Sequence, residues 1–290
     1  MDETTERRGP TARLLLSAPD RPGLVAAVAE FIYRHGGDVT AADQHTDEEE
    51  AMFFQRVEFR LDGFGLSRPE LEEAFAQVAV PLDMTWAVRY SDEPRRVAVL
   101  VSRQPHCLVD LLGRWYAHEL PGQPVLVASN HSDHAGLATS FGLPYHHLPV
   151  TKDTRLAQEG QLLELLSGAG VELVVLARYM QILSPQVIDA YPSKVINIHH
   201  SFLPAFSGGQ PYHQAHARGV KLIGATAHYA TAELDQGPII EQDTARATHR
   251  DGVADLARIG RDLETVVLAR AVRLHLTDRV LVHGRKTVVF

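Results

Sequence analysis

The chain has 290 residues, 45% of them hydrophobic and 22% charged, with a formal net charge of −8 and one cysteine, Cys107. This is ordinary globular composition, and the acidic balance excludes a non-specific nucleic-acid binder, which needs a basic surface. One cysteine allows no intrachain disulfide, and no apolar run approaches the roughly 20 residues that cross a bilayer. The charged start MDETTERRGP has no apolar signal-peptide core. We therefore expect a cytoplasmic protein with no nucleic-acid or membrane partner.

The part of the chain before residue 91 predicts six elements in the order βαββαβ, a split-βαβ arrangement. Apolar residues at helical spacing, such as Leu24, Val28 and Phe31, mark the first helix. The acidic run at 47–50 is expected to form the solvated tip of a hairpin. We place this domain at residues 11–91. The predicted elements are strands over 13–17, 39–45, 52–60 and 82–90, helices over 24–35 and 68–79, and a breaker-rich turn over 18–23.

After a polar stretch at 91–96, which we interpret as a linker, the pattern changes to short runs of apolar residues. Such runs are typical of parallel strands that are covered on both faces. Helical segments lie between them, and this alternation predicts an open, doubly wound, mostly parallel α/β sheet. We place this second domain at residues 95–290. The predicted strands cover 97–101, 125–129, 173–176 and 195–198, and the predicted helices include 108–118 and 156–166.

The stretch VINIHHSFLP at 195–204 places polar side chains at the end of a predicted buried strand. Asn197 and His199 are two residues apart and therefore share one face of the strand. Ligand sites in doubly wound sheets lie beyond the carboxyl ends of strands, and Pro204 ends the regular structure. Taken alone, the stretch is explained equally well by a ligand site at the strand end and by a structural role, in which Asn197 caps the next segment and the histidines bond to loop carbonyls.

A second polar segment follows further along the chain. The run GATAHY at 224–229 predicts a strand that contains His228, and TAELDQGPII at 231–240 follows it. Asp235 precedes Gly237 and Pro238 in that run. An acidic residue beside Gly-Pro is, by itself, a common turn former.

Together, NIHHSFLPAF at 197–206 and LDQGPII at 234–240 resemble the 10-formyltetrahydrofolate-dependent formyltransferase superfamily. The resemblance covers residues 95–290 and implies a Rossmann-like domain with catalytic residues Asn197, His199 and Asp235. These residue types suit the chemistry. An amide can donate to an oxyanion, an imidazole exchanges a proton near neutral pH, and a carboxylate can orient that imidazole. Whether His199 or Asp235 accepts the proton stays open at this point.

The resemblance also implies where the folate binds. The segment LARYMQIL at 176–183 is similar to the family segment that lines the pterin pocket, and backbone groups of the loop at 231–235 would contact the edge of the pterin ring. A flat heteroaromatic ring needs apolar walls and a few fixed polar partners. The alternative is that Met180 and Ile182 are core residues at the end of a strand. The implied folate-binding residues are Met180, Gln181, Ile182, Leu183, His228, Thr231, Ala232, Glu233 and Leu234.

The acceptor of the formyl group decides between a hydrolase and a transferase. The superfamily's amine transferases, of the glycinamide ribonucleotide transformylase type, hold the acceptor's phosphate in a glycine-rich loop after the first strand. Here the loop reads SRQPHC at 102–107, with no glycine, and Pro105 lacks an N–H. This departure favours water as the acceptor, as in the deformylase branch of the superfamily, whose product formate would help balance one-carbon folate pools for purine biosynthesis. The alternatives are an amine formyltransferase and a non-catalytic folate sensor.

Other chemistries find less support in the sequence. We expect no metal, because no helical His-x-x-x-His pair or cysteine cluster occurs, and no cofactor besides the folate substrate. No G-x-G-x-x-G follows a strand, and the glycines at 168 and 170 end a predicted helix, which argues against a dinucleotide-dependent oxidoreductase. Cys107 is interpreted as a small buried residue and not as a nucleophile.

The segment 14–59, with APDRPGLV at 18–25, resembles an ACT domain. This resemblance implies a homo-oligomer and an amino-acid effector, with glycine and methionine as the candidates.

The sequence leaves the roles of four residues in the second domain open: His106, His147, Lys152 and His200. If the strand at 195–198 continued, His200 would point to the face opposite His199.

Overall fold

The computed structural model describes residues 9–151, 153–201 and 211–290. Contacts between residues divide the chain into two units. The first unit runs to Pro94 and also takes in Asp278–Leu281 and Val288–Phe290, and the second takes in Arg95–Thr277 and Val282–Thr287. Two short segments near the C-terminus are therefore grouped with the first unit, whereas the sequence pattern assigned all residues from 95 onward to the second domain.

The first unit has the predicted βαββαβ order. Its four strands form one antiparallel sheet in the order β2-β3-β1-β4. The bounds of β3 and α2 are those that the sequence predicted. The elements are β1 (Thr11–Pro19), α1 (Leu24–Arg34), β2 (Val39–Asp47), β3 (Met52–Arg60), α2 (Arg68–Ala79) and β4 (Thr85–Tyr90).

Two boundaries in this unit differ from the prediction. Strand β1 continues to Pro19 because its ladder with β3 extends as far as the pair Pro19 and Met52, so the predicted turn at 18–23 is shorter. Strand β4 begins only at Thr85 because Val80–Leu82 form a 3₁₀ turn that ends at Asp83, whose φ is 51°. The acidic run at 47–50 lies at the hairpin between β2 and β3, and its glutamates are exposed, as predicted.

A buried arginine ties the C-terminal segment to this sheet. Arg56 on β3 is 1% exposed, and its Nη2 lies 2.7 Å from a carboxylate oxygen of Glu58. Its Nε donates to the carbonyl oxygen of Asp278 at 3.0 Å. Arg13 on β1 also pairs with the Asp278 carboxylate, with Nη1 3.1 Å from Oδ2. These pairings explain why Asp278 and its neighbours are grouped with the first unit.

Replacing Arg56 with Met retains an unbranched aliphatic chain at this position but removes the guanidinium that pairs with Glu58. Because breaking a buried ion pair leaves an uncompensated charge, we expect the free energy of unfolding to fall by about 3 kcal/mol. The control is Arg34→Met on α1, which breaks an exposed pair with Glu30 and is expected to change the free energy by about 0.5 kcal/mol or less. Urea unfolding measures both variants. Equal losses in the two would mean that the buried pairs of Arg56 add no stability.

The second unit is built on a seven-stranded sheet in the order β11-β10-β9-β8-β5-β6-β7. The pairs among β7, β6, β5, β8 and β9 are parallel, and β10 runs antiparallel to both of its neighbours. This confirms the predicted, mostly parallel sheet. The strands are β5 (Arg96–Val101), β6 (Gln123–Ser129), β7 (Tyr145–His147), β8 (Leu173–Ala177), β9 (Val195–His199), β10 (Leu222–Tyr229) and β11 (Ile239–Arg246).

Six helices accompany this sheet in the described residues, and two of them were predicted. Helix α5 ends at Gly168 and is followed by Gly170 with a φ of 58°, so this glycine cluster does end a helix. None of the described helices is both long enough and apolar enough to span a membrane. The helices are α3 (His106–Tyr116), α4 (Ala135–Ser140), α5 (Arg155–Gly168), α6 (Pro185–Ala190), α7 (Pro211–Arg218) and α8 (Val253–Leu276), and a hairpin of β12 (Val280–His283) and β13 (Lys286–Val289) follows.

The carboxyl ends of the central parallel strands are where polar side chains appear. The interiors of β5 and β8 are apolar and buried, and β9 is apolar and buried except at Asn197, which is half-buried. Polar residues follow at once: Ser102 after β5, Arg178 after β8, and His199 as the last residue of β9. The Ser102 N–H donates to the Arg178 carbonyl at 3.2 Å, which joins two of these strand ends.

Candidate active site

The strand pair β9 and β10 brings three predicted residues together. Asn197 pairs with His228 in the antiparallel register, and Thr226 pairs with His199. The Nδ2 of Asn197 lies 3.2 Å from the Nε2 of His228. His228 is 2% exposed, and its Nδ1 donates to the carbonyl of Tyr229 at 2.9 Å. His228 is therefore a buried side chain in contact with the Asn197 amide.

Asp235 completes the group from the loop after β10. Its Oδ2 lies 3.2 Å from Nδ1 of His199, and its Oδ1 lies 3.5 Å from Nε2 of His228. The hydrogen bond with His199, followed by that with His228, holds the pKa of Asp235 well below its usual range. The residue is therefore a carboxylate, able to accept from an imidazole N–H. The other ring nitrogen of His199, Nε2, is buried and has no hydrogen-bond partner among the described residues.

The glycine after Asp235 is needed because the loop passes very close to β10. A Cβ at Gly237 would lie 1.7 Å from the carbonyl oxygen of Tyr229. The Tyr229 N–H in turn donates to the carbonyl of Pro238 at 2.9 Å. Asp235 itself has a φ of 54°, in the left-handed region that non-glycine residues seldom adopt. The close approach at Gly237 and the turn at Asp235 together fix the carboxylate beside His199.

His200 lies elsewhere than the extended-strand argument placed it. Strand β9 ends at His199, so the alternation of faces stops there. The His200 ring stacks on the His199 ring, with centroids 4.8 Å apart and planes 22° from parallel. Its Nδ1 lies 3.1 Å from Nη1 of Arg178. The sequence argument placed His200 on the face opposite His199 only if the strand continued. The strand ends at His199, so that condition is not met.

Behind His200 lies a buried carboxylate that the sequence analysis did not single out. Glu264 on α8 is 1% exposed. One carboxylate oxygen lies 2.6 Å from Nε2 of His106 and 3.4 Å from Nε of Arg178, and the other accepts from the Tyr212 hydroxyl at 3.3 Å. Burial alone would raise the pKa of Glu264, but the hydrogen bond from His106 and the charge of Arg178 lower it. Glu264 is thus a buried anion held by two hydrogen-bond donors and by the charge of Arg178.

A sequence signal for Glu264 does exist. Helix α8 buries a stripe at every fourth position, and Glu264 falls within that otherwise uncharged stripe. A lone charged residue on the buried face of a helix requires a partner, and is therefore a candidate for a buried site. A Cβ at Gly260, one turn earlier, would lie 1.9 Å from the Tyr212 hydroxyl, so this glycine makes room for one of the donors. The stripe consists of Leu256, Gly260, Glu264, Leu268, Val272 and Leu276.

The same region contains a set of potential metal ligands. Among the described residues, His106, Cys107 and Glu264 offer ligand atoms within 4.8 Å of one another. The guanidinium of Arg178 already lies beside the same Glu264 oxygen and supplies the positive charge that the carboxylate needs. Cys107 is fully buried, and burial followed by the nearby Glu264 charge raises the pKa of its thiol far above the usual range. A thiol in this state is a poor ligand and a poor nucleophile.

The residues implied to bind folate fall into two groups. Met180 and Ile182 are 61% and 57% exposed, so neither is a core residue at a strand end. Leu183 is buried in the core that packs α6 against the sheet. Thr231 to Leu234 are all exposed in the loop before Asp235. The exposed apolar residues beside the strand ends are available to a ligand, whereas Leu183 anchors the same segment in the core.

A cavity of about 200 Å³ opens beside this segment. The Met180 N–H donates to the Ser102 hydroxyl at 2.9 Å, and that hydroxyl donates to Asn130 Oδ1 at 2.7 Å. The cavity is lined by Ser102, Arg103, Gln104, Asn130, His131, Arg178, Met180 and Gln181.

The sequence left the roles of three further residues open. His106 belongs to the group around Glu264, His147 is exposed at the end of β7, and Lys152 lies outside the described residues.

Comparison with protein families describes both parts of the chain. Residues 95–272 match the formyl transferase family, and residues 12–80 match the ACT domain. The match over 95–272 covers the strands that carry Asn197, His199 and His228 and the loop that carries Asp235. An ACT domain followed by a formyl transferase domain is the class of protein that the fold and the site define.

Relatives and solved structures narrow this class. A formyltetrahydrofolate deformylase of Synechocystis is 56% identical over 97% of this chain and 98% of its own length. The crystal structure of a formyltetrahydrofolate deformylase from Pseudomonas syringae has a TM-score of 0.96 and 47% identity, covering 98% of this chain and 95% of that one. A glycinamide ribonucleotide transformylase from Symbiobacterium toebii reaches a TM-score of 0.64 at 34% identity over 68% of this chain and 94% of that one. The chain belongs to the formyltetrahydrofolate deformylase family.

The close approach at Gly237 leads to a structural prediction. A Gly237→Ala variant must move the backbone away from Tyr229, and we expect it to lose about 2 kcal/mol of stability by overpacking. We also expect the contact between His199 Nδ1 and Asp235 Oδ2 to lengthen. Gly160→Ala in α5 is the matched control, because an added Cβ there meets nothing within 4 Å, and helix propensity favours Ala. Thermal unfolding and a crystal structure of each variant are the measurements. An unchanged loop in Gly237→Ala would contradict the role assigned to this glycine.

Proposed function

We propose that this protein hydrolyses 10-formyltetrahydrofolate to tetrahydrofolate and formate, with Asn197, His199 and Asp235 as its catalytic residues. The observation that carries the proposal is the pairing of His199 Nδ1 with the Asp235 carboxylate, 3.2 Å apart, beside the Asn197 amide on the same strand. Membership of the deformylase family supplies the substrate. The formate released would help to balance one-carbon folate pools for purine biosynthesis.

The arrangement supports an assignment of roles. With its Nδ1–H donating to the Asp235 carboxylate, a neutral His199 carries a lone pair on Nε2, the buried atom that has no hydrogen-bond partner among the described residues. That nitrogen can take a proton from water while the water oxygen bonds to the formyl carbon. Asp235 then stabilises the imidazolium that forms, as a carboxylate does in a Ser-His-Asp triad. This assigns proton acceptance to His199 and orientation to Asp235.

Breakdown of the tetrahedral intermediate completes the reaction. The bond between the formyl carbon and the folate nitrogen breaks, and the imidazolium of His199 returns its proton to that nitrogen. Formic acid leaves and gives its remaining acidic proton to water, which yields formate. The Asn197 amide donates to the formyl oxygen while it carries negative charge, a contribution of about 3 kcal/mol in comparable sites. These residues supply the base, the acid and the oxyanion donor themselves, so the proposed reaction uses no metal and no cofactor.

We assign the pteridine ring to the exposed segment after β8 and the loop before Asp235. Met180 and Ile182 offer exposed apolar surface, Gln181 lines the adjacent cavity, and Leu183 holds the segment to the core. The loop of Thr231, Ala232, Glu233 and Leu234 would contact the ring edge through its backbone. Both segments border strand ends that carry catalytic side chains, which is where doubly wound sheets bind ligands.

Formate release is the measurement that tests the reaction. Purified protein given 10-formyltetrahydrofolate and no amine is expected to release formate. Asp235→Asn is expected to keep the fold but to lower kcat by about 10²–10⁴-fold, because the amide cannot stabilise an imidazolium. Thermal unfolding serves as the folding control. Wild-type turnover in this variant would remove Asp235 from the mechanism, and formate transfer only when glycinamide ribonucleotide is present would identify an amine transferase. Folate binding with no turnover in either assay would identify a sensor.

We further propose that the first unit binds an amino-acid effector, glycine or methionine, and that the protein is a cytoplasmic homo-oligomer. The match of residues 12–80 to the ACT domain supports an effector site, and the single buried cysteine suits a reducing compartment.

Calorimetric titration with each amino acid, alongside the mass in solution, tests this proposal. We expect heat of binding and a changed rate of formate release with one of them, on a species larger than one chain. The absence of both heat and rate change with glycine and with methionine would exclude these effectors, and a monomer mass at micromolar concentration would exclude the oligomer.

A further inference from the structure

The contact between Arg178 and His200 determines which nitrogen of His200 carries its proton. A guanidinium has only donors and stays charged. Because Nη1 of Arg178 lies 3.1 Å from Nδ1 of His200, that ring nitrogen must accept. The proton of the neutral ring is then on Nε2. His200 is therefore a hydrogen-bond donor through Nε2, and this nitrogen makes no hydrogen bond to any described residue.

The environment also keeps the ring neutral. Burial, followed by the charges of Arg178 and His199, lowers the pKa of His200 to about 4, although Glu264 and Asp235 act in the opposite direction. At neutral pH, Nδ1 therefore stays unprotonated and the acceptor of the arginine's hydrogen bond.

Arg178 is fixed on several sides. Its Nε donates to the side-chain oxygen of Gln104 at 3.1 Å and lies 3.4 Å from the buried Glu264 carboxylate. Its backbone has a φ of 63°, and its carbonyl accepts from Ser102. A non-glycine residue in this conformation persists only where its surroundings hold it there. The donor group of His200 is thus held by a chain of contacts that ends on Glu264.

His200 is also in the right place. Its ring lies against the ring of His199, with centroids 4.8 Å apart, and His199 is paired with Asp235. The Asn197 amide lies on the same strand, two residues before His199. An oxyanion that forms at this site can therefore be approached by donors from two positions.

We propose that His200 is a further catalytic residue, whose Nε2–H donates a second hydrogen bond to the formyl oxygen as that oxygen gains negative charge. The inference rests on the proposed hydrolysis and adds the other half of the oxyanion site, beside the amide of Asn197. A neutral imidazole suits this task, because it stabilises the oxyanion without giving up a proton and without placing a second positive charge beside the imidazolium of His199. Arg178 and Glu264 are positioning residues for this donor, since they act on the formyl oxygen through His200.

The first test compares two substitutions of His200. His200→Phe keeps a ring that can stack on His199 but removes the donor, and we expect kcat to fall about 100-fold with KM for 10-formyltetrahydrofolate changed less than threefold. His200→Gln supplies an amide donor at the same position and is expected to recover at least tenfold of that loss. His213→Phe, on an exposed position of α7, is the matched control and should stay within threefold of wild type. A kcat within threefold of wild type for His200→Phe would overturn the proposal.

The second test uses the wild-type protein alone, so it holds even if a variant fails to fold. In ¹⁵N spectra of histidine-labelled protein, His200 is expected to show a protonated Nε2 and an unprotonated Nδ1 at neutral pH. A protonated Nδ1 would overturn the proposal, since Arg178 could then not donate to it. The outcomes separate this proposal from the proposed hydrolysis. If the wild-type protein releases no formate, the proposed hydrolysis is wrong. If His200→Phe turns over normally, only the role of His200 is wrong.

Discussion

One buried negative charge organises the residues behind the candidate active site. Glu264 is almost completely removed from water, and an unpaired carboxylate in such a place would cost several kcal/mol. Arg178, His106 and Tyr212 satisfy it from the end of β8, the start of α3 and α7. To reach it, Arg178 leaves β8 in a left-handed conformation. The strand ends that form the site are therefore fixed by the need to neutralise an anion on a distant helix.

The two adjacent histidines illustrate how partners decide chemistry. His199 has a carboxylate beside its Nδ1, which makes that nitrogen a hydrogen-bond donor. His200 has a guanidinium on its Nδ1, which opposes one. Identical side chains, stacked on each other, are thereby given different properties without any change of fold. Different environments around neighbouring titratable groups are the usual means by which a site assigns them different acid, base and donor roles.

The sequence predicted the parts of this protein that depend on local pattern. Strand alternation placed Asn197 and His199 together, apolar runs identified the central strands, and the order of the first unit was correct. Asp235 looked like a turn residue by itself and became a candidate only through family resemblance. Arg178 and Glu264 are 86 positions apart in the sequence (264 − 178), so no local pattern joins them. The position of His200 could not be predicted from strand alternation, because β9 ends at His199. No sequence pattern fixes the exact residue at which a strand ends.

The sheet of the first unit has a consequence for how such chains can be rearranged. Arg13 and Arg56 both bond to Asp278, which follows them by more than two hundred positions in the sequence. A gene fragment that stopped at the linker would encode every strand of that sheet, yet would leave two arginines without the partner they share. The unit is contiguous in space but not along the chain. Recombination that exchanges the first unit for another must therefore carry Asp278 with it to keep the pairs that both arginines make.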